Sequence, residues 1–275
     1  MKLRVAKPEE MDIILGWAAK EGWNPGLSDA HVFLASDPKG FFVAENKSDI
    51  VAAISVVNHS EDMAFLGLYL CRPDFRGQGI GFALWQHALA HAEGRTVGLD
   101  GVAEQQTNYA KSGFIRSGSS IRFEGKLPQE TDLRVRTARS YDLPDLIELD
   151  TTANGYPRSD FLTGWLSTTE TRRTVVLEAS GYCTGFATVR RCQSGVKIGP
   201  IIADNTSDAL ALAGAAVAEL PSGAVIIDVP SENADLCSAL QDLGFVETFA
   251  TARMYRGAAP VSGSNRQAIA TMELG

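Results

Sequence analysis

Residues 76–81 read Arg-Gly-Gln-Gly-Ile-Gly, with an apolar, strand-like run at 64–71 before them and a helix-like run at 82–89 after. A glycine loop between a strand and a helix gathers backbone N–H groups at the positive end of the helix dipole. That geometry is an anion site suited to a pyrophosphate. Glycine lets the backbone close on the phosphates, and Arg76 adds a guanidinium beside Gly77, Gln78, Gly79, Ile80 and Gly81. The spacing is not that of the dinucleotide fingerprint, and no Gly-Lys-Ser/Thr follows to make a Walker loop. Taken alone, the loop is either a pyrophosphate site of a third kind or an ordinary glycine-rich turn.

A second motif lies downstream, where Tyr109 stands four residues before Gly113-Phe114. Gly113 suits the left-handed position just past a helix, and Phe114 suits the start of a buried strand. The run 96–102 reads as the strand ahead of that helix. Arg-x-x-Gly-x-Gly followed by Tyr-x-x-x-Gly-Phe resembles the GNAT superfamily of N-acetyltransferases, whose acetyl-CoA pyrophosphate loop has the first pattern.

The resemblance implies an acetyl-CoA-dependent N-acetyltransferase in which a small primary amine attacks the thioester directly in a ternary complex. Acetyl-CoA is then a co-substrate, and no metal is implied. The backbone around Tyr69, Leu70 and Cys71 would pair with the pantetheine arm and aim an N–H at the thioester carbonyl. Such a donor is worth roughly 3 kcal/mol when preorganised. An alkylammonium with a pKa near 10.4 is only about 0.04% neutral at pH 7, so its proton must be removed, and the departing thiolate must be protonated. Tyr109, a phenol protonated at neutral pH, is the expected acid. Asp100 is either the base or a structural hydrogen-bond hub on its strand, and ordered water is a further route for the proton. His59, Glu61 and Asp62 read as solvated turn residues.

Trp23 and Asn24, in the turn Gly22-Trp23-Asn24-Pro25-Gly26, fall where GNAT folds shape the acceptor pocket, and Asp228 is a third candidate for binding substrate. Trp23 either stacks on the acceptor or plugs the core. Tyr156 and Arg158 lie in a comparable turn of the second half, read either as a surface turn or as part of the same pocket. His87 and His91 share a helix side, but Glu93 points elsewhere, so no metal site is expected. Two other readings stay open: an acyl-CoA-binding sensor or scaffold without turnover, and a protein N-acetyltransferase.

The positioning elements come in two copies. Leu3-Arg4-Val5 and Leu133-Arg134-Val135 lie 130 apart, while Gly113-Phe114 and Gly244-Phe245 lie 131 apart. Asp100 and Asp228 sit on comparable strand-like runs. A near-constant register predicts a duplicated unit. The fold class is α/β, with two tandem GNAT-like domains, each a mixed, partly antiparallel sheet flanked by helices. Residues 1–128 form the catalytic domain, 131–257 a divergent copy and 258–275 a tail, with a polar break at Gln129-Glu130-Thr131-Asp132.

At the loop position the second half reads Gly199-Pro200-Ile201-Ile202-Ala203-Asp204-Asn205, without the glycine nest and with an acid that would repel phosphate. Leu240 replaces the tyrosine, while Asn233 matches an asparagine many GNAT chains place early in this helix. Phe65-Leu66-Gly67, Gly98-Leu99-Asp100-Gly101-Val102, Asp228-Val229-Pro230 and Met254-Tyr255-Arg256-Gly257 resemble proteins in which an active GNAT domain precedes a divergent YitI-type one. The tail carries Pro260 and Ser262-Gly263-Ser264 ahead of an apolar-leaning run, 268–272, which either docks across a domain or a partner or stays disordered.

The chain is 275 residues long, 45% hydrophobic and 21% charged, the composition of a folded globular protein. A net charge of −8 argues against nucleic-acid or anionic-membrane partners, which need a basic surface. The four cysteines are widely spaced, the N-terminus shows no signal-peptide-like stretch, and no run is long enough to span a bilayer. A cytoplasmic location follows as the expectation, with the oligomeric state left open.

Overall fold

Strands that are largely apolar on both faces must be covered on both, and the runs around 51–57 and 196–202 are buried throughout. The computed structural model describes residues 1–128 and 131–275; Gln129 and Glu130 of the expected break lie outside the described residues. In the first half, strands β1 (Lys2–Val5), β2 (Phe41–Asn46), β3 (Asp49–Asn58), β4 (Met63–Cys71), β5 (Thr96–Gly101) and β6 (Ile115–Gly125) alternate with helices α1 (Met11–Lys20), α2 (Asp29–Ser36), α3 (Ile80–Leu89) and α4 (Gln106–Lys111). The second half repeats the plan with β7 (Val135–Thr137), α5 (Leu143–Asn154), α6 (Ser159–Trp165), β8 (Arg172–Ala179), β9 (Tyr182–Arg191), β10 (Val196–Ile202), α7 (Thr206–Glu219), β11 (Val225–Pro230), α8 (Ala234–Asp242) and β12 (Val246–Arg256). A short β13 (Arg266–Ala268) follows in the tail.

Every described strand belongs to one sheet, in the order β1-β2-β3-β4-β5-β12-β6-β11-β10-β9-β8-β7, with β13 on β10. The two halves therefore exchange their last strands. β12 of the second half lies antiparallel on β5, β6 of the first lies antiparallel on β11, and β6 and β12 lie against each other. The exchange is matched by charge. Asp100 on β5 stands opposite Arg253 on β12, which binds it through Nε at 3.0 Å and Nη2 at 2.7 Å. Asp228 on β11 stands opposite Arg122 on β6, bound through Nε at 2.7 Å and Nη2 at 2.9 Å. Each strand aspartate thus takes a bidentate arginine from the other half, and all four side chains are buried.

The repeat also has a register that the Leu-Arg-Val match misplaces by two residues. Arg4 pairs with Glu10, which accepts from the Lys7 amide, and Arg136 pairs with Asp142, which accepts from the Arg139 amide. The equivalent residues are therefore 132 apart rather than 130. Helices α1 and α2 face α5 and α6 across a shared core that contains Phe33, Phe161, Trp165, Leu68, Leu70 and Phe186. α3 covers the outer face of the first half, and α7 and α8 cover that of the second. The shared core holds a charge as well. Asp29 of α2 accepts from Arg172 at 2.7 Å and from Arg190 at 3.3 Å, and both guanidiniums lie over the Trp165 ring.

In each half a parallel pair comes apart. β4 leaves β5 beyond Leu66, where a bulge places Leu68 at φ 47°, and β10 leaves β11 beyond Ile198. The first gap is open to ligand, whereas the second is filled by the chain itself. β13 pairs with β10 at Ile201–Ala268, and Ile269 N–H donates to Asp228 O at 3.0 Å. The tail is thus docked across the second half and buried from Arg266 to Gly275.

Removing one arginine of an exchanged pair strands a buried carboxylate, so Arg253→Met and Arg122→Met should each cost about 3–5 kcal/mol in denaturant unfolding. A loss below about 1 kcal/mol in both would show that the pairs do not hold the exchange.

Candidate active site

The helix α3 begins at Gly79, held at φ 77°, two residues after Gly77 at φ 74°. The first helix amide to bond backwards is Ala83, to Gly79 O at 3.0 Å. Among the described residues, the N–H groups from Gly77 to Phe82 therefore have no backbone acceptor. They surround the mouth of a groove of about 450 Å³, lined by Leu70, Cys71, Arg76, Gly77, Gly79 and Gly81 among others. This is the donor set a pyrophosphate needs, and the groove runs along the edge of β4 freed by its parting from β5.

Sequence candidates fall into distinct places here. Arg76 donates to Cys71 O at 2.9 Å and to Glu21 at 2.7 Å, an ion pair with both members about half exposed. A pair so hydrated is worth little and yields readily to a phosphate. Gln78 spends its amide on Asp74 O at 2.9 Å, and the Ile80 side chain is buried in the core, so these two offer the groove only backbone. Tyr69 lies half-buried with its hydroxyl over Gly81, where a Cβ would sit 2.7 Å away. Burial pushes both the Tyr69 phenol and the Cys71 thiol up from their ordinary pKa values.

Past Tyr69 the groove enters a narrower, partly enclosed cavity of about 70 Å³. Tyr109 forms one wall, its ring stacked on Trp85 at 5.3 Å and resting against Gly101, where a Cβ would meet the ring at 2.8 Å. Burial, and then the Tyr69 phenol, raise the Tyr109 pKa well above that of a free tyrosine. Trp23 borders both spaces. Its carbonyl accepts from Lys197 at 2.7 Å and from Arg122 at 3.3 Å, so the second half holds this turn in place. Burial lowers the Lys197 pKa.

Three of the candidate site residues need correction. Asp100 lines the cavity, yet Oδ1 accepts from Ser120, Thr251 and Arg253, and Oδ2 from Arg253. Its lone pairs are taken, which fits the hub and not the base. Asp228 is spent on Arg122 away from the cavity; burial alone would raise its carboxyl, but the charge and hydrogen bonds of Arg122, with the charges of Lys197 and Arg190, together hold it low. Asn24 does not reach the cavity either, since its amide exchanges bonds of 2.8 and 3.2 Å with the backbone of Ser194.

His59, read as a solvated turn residue, instead packs on Tyr156 and Phe161 and meets Leu274 O at 2.8 Å through Nε2. Arg158 is buried on Asp150 and reaches Gly275 O, so it braces the tail rather than lining the pocket. His91 meets Asp37 at 2.7 Å, and the His87 ring stands edge-on to Phe42.

The cavity also contains residues that no local pattern marked. Phe249 and Thr251 come from the exchanged β12, Arg122 from the exchanged β6, and Met272 and Glu273 from the tail. Only knowledge of the strand exchange and of the tail's path would have brought them here. No helix among the described residues is long and apolar enough to cross a membrane.

The model of the acetyltransferase (GNAT) family matches residues 9–114, and that of an acetyltransferase (GNAT) domain matches residues 146–270. A holothin acyltransferase of Pseudoalteromonas sp. (strain SANK 73390) is 36% identical over 274 residues, covering 98% of this chain and 93% of that one. An uncharacterized N-acetyltransferase of Bacillus subtilis (strain 168), YitH, is 24% identical over 274 residues, covering 97% and 96%. Among solved structures, a putative acetyltransferase from Pyrococcus horikoshii has a TM-score of 0.84 at 20% identity, over 100% of this chain and 95% of that one. A tandem GNAT protein from the clavulanic acid biosynthesis pathway has a TM-score of 0.64 at 15% identity, over 95% and 99%. At such identities the structural likeness speaks for the fold.

Burial, and then the Arg158 charge, push the His59 pKa down to about 4. The folded chain keeps this imidazole neutral, while the unfolded chain protonates it below pH about 6.5. The stability it contributes is therefore complete above that pH and is lost as pH falls towards 4. Thermal melting of the wild type should drop more between pH 7 and 5 than that of His59→Gln; parallel curves would contradict this.

Proposed function

The chain belongs to the GNAT superfamily of acyltransferases, in tandem-domain form, and from that premise we propose that its first half transfers an acetyl group from acetyl-CoA to a small primary amine. One observation carries the reading: the groove at the glycine loop continues into a narrower, partly enclosed cavity whose wall includes Tyr109. A peptide acceptor would need an open trough across the sheet. Here β12 and the tail close that side, which favours a small molecule over a protein lysine or N-terminus.

In this reading the free N–H groups of residues 77–82 and the Arg76 guanidinium hold the pyrophosphate. The freed edge of β4 at Tyr69, Leu70 and Cys71 holds the pantetheine arm, and amine and thioester meet in the cavity in a single ternary complex. Tyr109 faces the departing sulfur. A thiolate of pKa near 8.5 does not strip a proton from a phenol at or above about 10. With its pKa raised further by burial, Tyr109 acts by donating a hydrogen bond that stabilises the thiolate. The relative named for holothin is an acyltransferase, so donors longer than acetyl belong in the test. A cytoplasmic location completes the proposal.

Free-thiol release with acetyl-CoA and longer acyl-CoAs, against a panel of primary amines, tests it. Tyr109→Phe should lower kcat roughly 100-fold with the acyl-CoA KM little changed. Gly79→Glu, which puts a carboxylate at the anion site, should raise that KM about tenfold or more. Tight acyl-CoA binding without turnover on any amine would instead support a sensor.

A further inference from the structure

The cavity has two acidic side chains, Asp100 and Glu273, and one basic side chain, Arg122, on its wall. Asp100 is neutralised by Arg253, and Arg122 by Asp228. Glu273 has no cation within ion-pair distance among the described residues, although only 4% of its surface is exposed. Among the described residues its one side-chain partner is the hydroxyl of Thr271, which donates to Oε2. Arg122 and Lys197 interact with its charge only from beyond ion-pair distance; a buried carboxylate without a direct ion pair is costly, and the cost is relieved by a cation arriving in the cavity it lines.

The placement of Glu273 is built rather than incidental. The tail enters through the second half, where Asn233 donates to Arg266 O at 2.6 Å and to Gln267 O at 3.1 Å, and Gln267 donates to Ala203 O at 3.1 Å. Arg190 holds Ala270 O at 3.0 Å, and His59 holds Leu274 O at 2.8 Å. Two glycines, at equivalent points of β10 and β4, let it pass. A Cβ on Gly199 would strike Ile269 O, and one on Gly67 would strike Glu273 O. Gly67 immediately follows Leu66, the last β4 residue paired with β5, so the Glu273 backbone lies where the cleft opens.

We propose that Glu273 is the carboxylate of the acceptor site, binding the substrate's ammonium group and taking its proton before attack. The proposal rests on the acyl-transfer reading of the first half. The acceptor class it implies is a cationic primary amine. The nitrogen gives one proton to Glu273, its lone pair forms the bond to the acyl carbon, and the carbon–sulfur bond breaks with its pair leaving on sulfur. The nitrogen's second proton ends on that sulfur, and Glu273 returns its proton to solvent. The sum is an amide, a free thiol and one proton. Thr271 positions the carboxylate.

Two CoA thioethers provide the test by calorimetry, with no need to know the natural acceptor: one carries an S-(3-aminopropyl) chain, the other an S-butyl chain of similar size. The wild type should bind the ammonium analogue about 10- to 100-fold more tightly. Glu273→Gln should bring the two affinities together with the butyl affinity unchanged, and Glu273→Asp should retain part of the preference. Equal affinities in the wild type would overturn the proposal with the acyl-CoA cleft intact. Failure of both analogues to bind would instead overturn the reading of the cleft. Should Glu273→Gln melt prematurely, the wild-type ratio and the Glu273→Asp ratio still decide the matter.

Discussion

Two buried aspartate–arginine pairs, Asp100 with Arg253 and Asp228 with Arg122, tie each half's sheet to a strand borrowed from the other. Their net contribution to stability is modest, since desolvation of four charges offsets most of the attraction. What they supply is register. A slip of one residue along β12 or β6 would turn its side chains to the opposite face and leave the carboxylates buried alone. The same strands carry Phe249, Thr251 and Arg122 into the cavity beside Tyr109, so the shape of the candidate site depends on the exchange.

The duplicated halves have diverged at the point where a parallel pair opens. The first half keeps the glycine loop, with its free N–H groups, and an open cleft. In the second half the equivalent gap is occupied by the chain's own tail, whose backbone pairs with β10 and with the Asn233 amide. The asparagine that resembles a family residue is thus turned to holding protein. One cleft remains for a ligand, and the other anchors the segment that closes it. The shared core of α1, α2, α5 and α6, with Asp29 gripped by Arg172 and Arg190, sets the two halves in fixed relation. Electrostatically, the aspartates of this region are each met by an arginine, while Glu273 has no direct ion pair among the described residues.

Much of the fold was legible because its signals are local. The period-two and period-3.6 apolar patterns place strands and helices, and Gly79 and Gly113 mark one helix start and one helix end through their positive φ. The duplication was visible in Gly113-Phe114 and Gly244-Phe245. The strand exchange was not, because pairing between residues more than a hundred apart leaves no trace in local spacing. Asp100 and Asp228 stood out as a repeated pair, but their arginines lie in the opposite halves. The same blindness misplaced Asn24, hid the burial of His59 and left the tail undecided. Glu273 sits in a segment whose composition suits disorder as well as docking; the strand pairing on β10 and the close approach at Gly67 and Gly199 show what the tail does.

The account stands on one ligand cleft per chain, in the first half, with the second closed by the tail. Native mass spectrometry with acetyl-CoA counts this directly. The predicted result is a single molecule bound per chain, lost in Gly79→Glu. Two molecules per chain, or one that persists in Gly79→Glu, would place acyl-CoA in the second half and contradict the account.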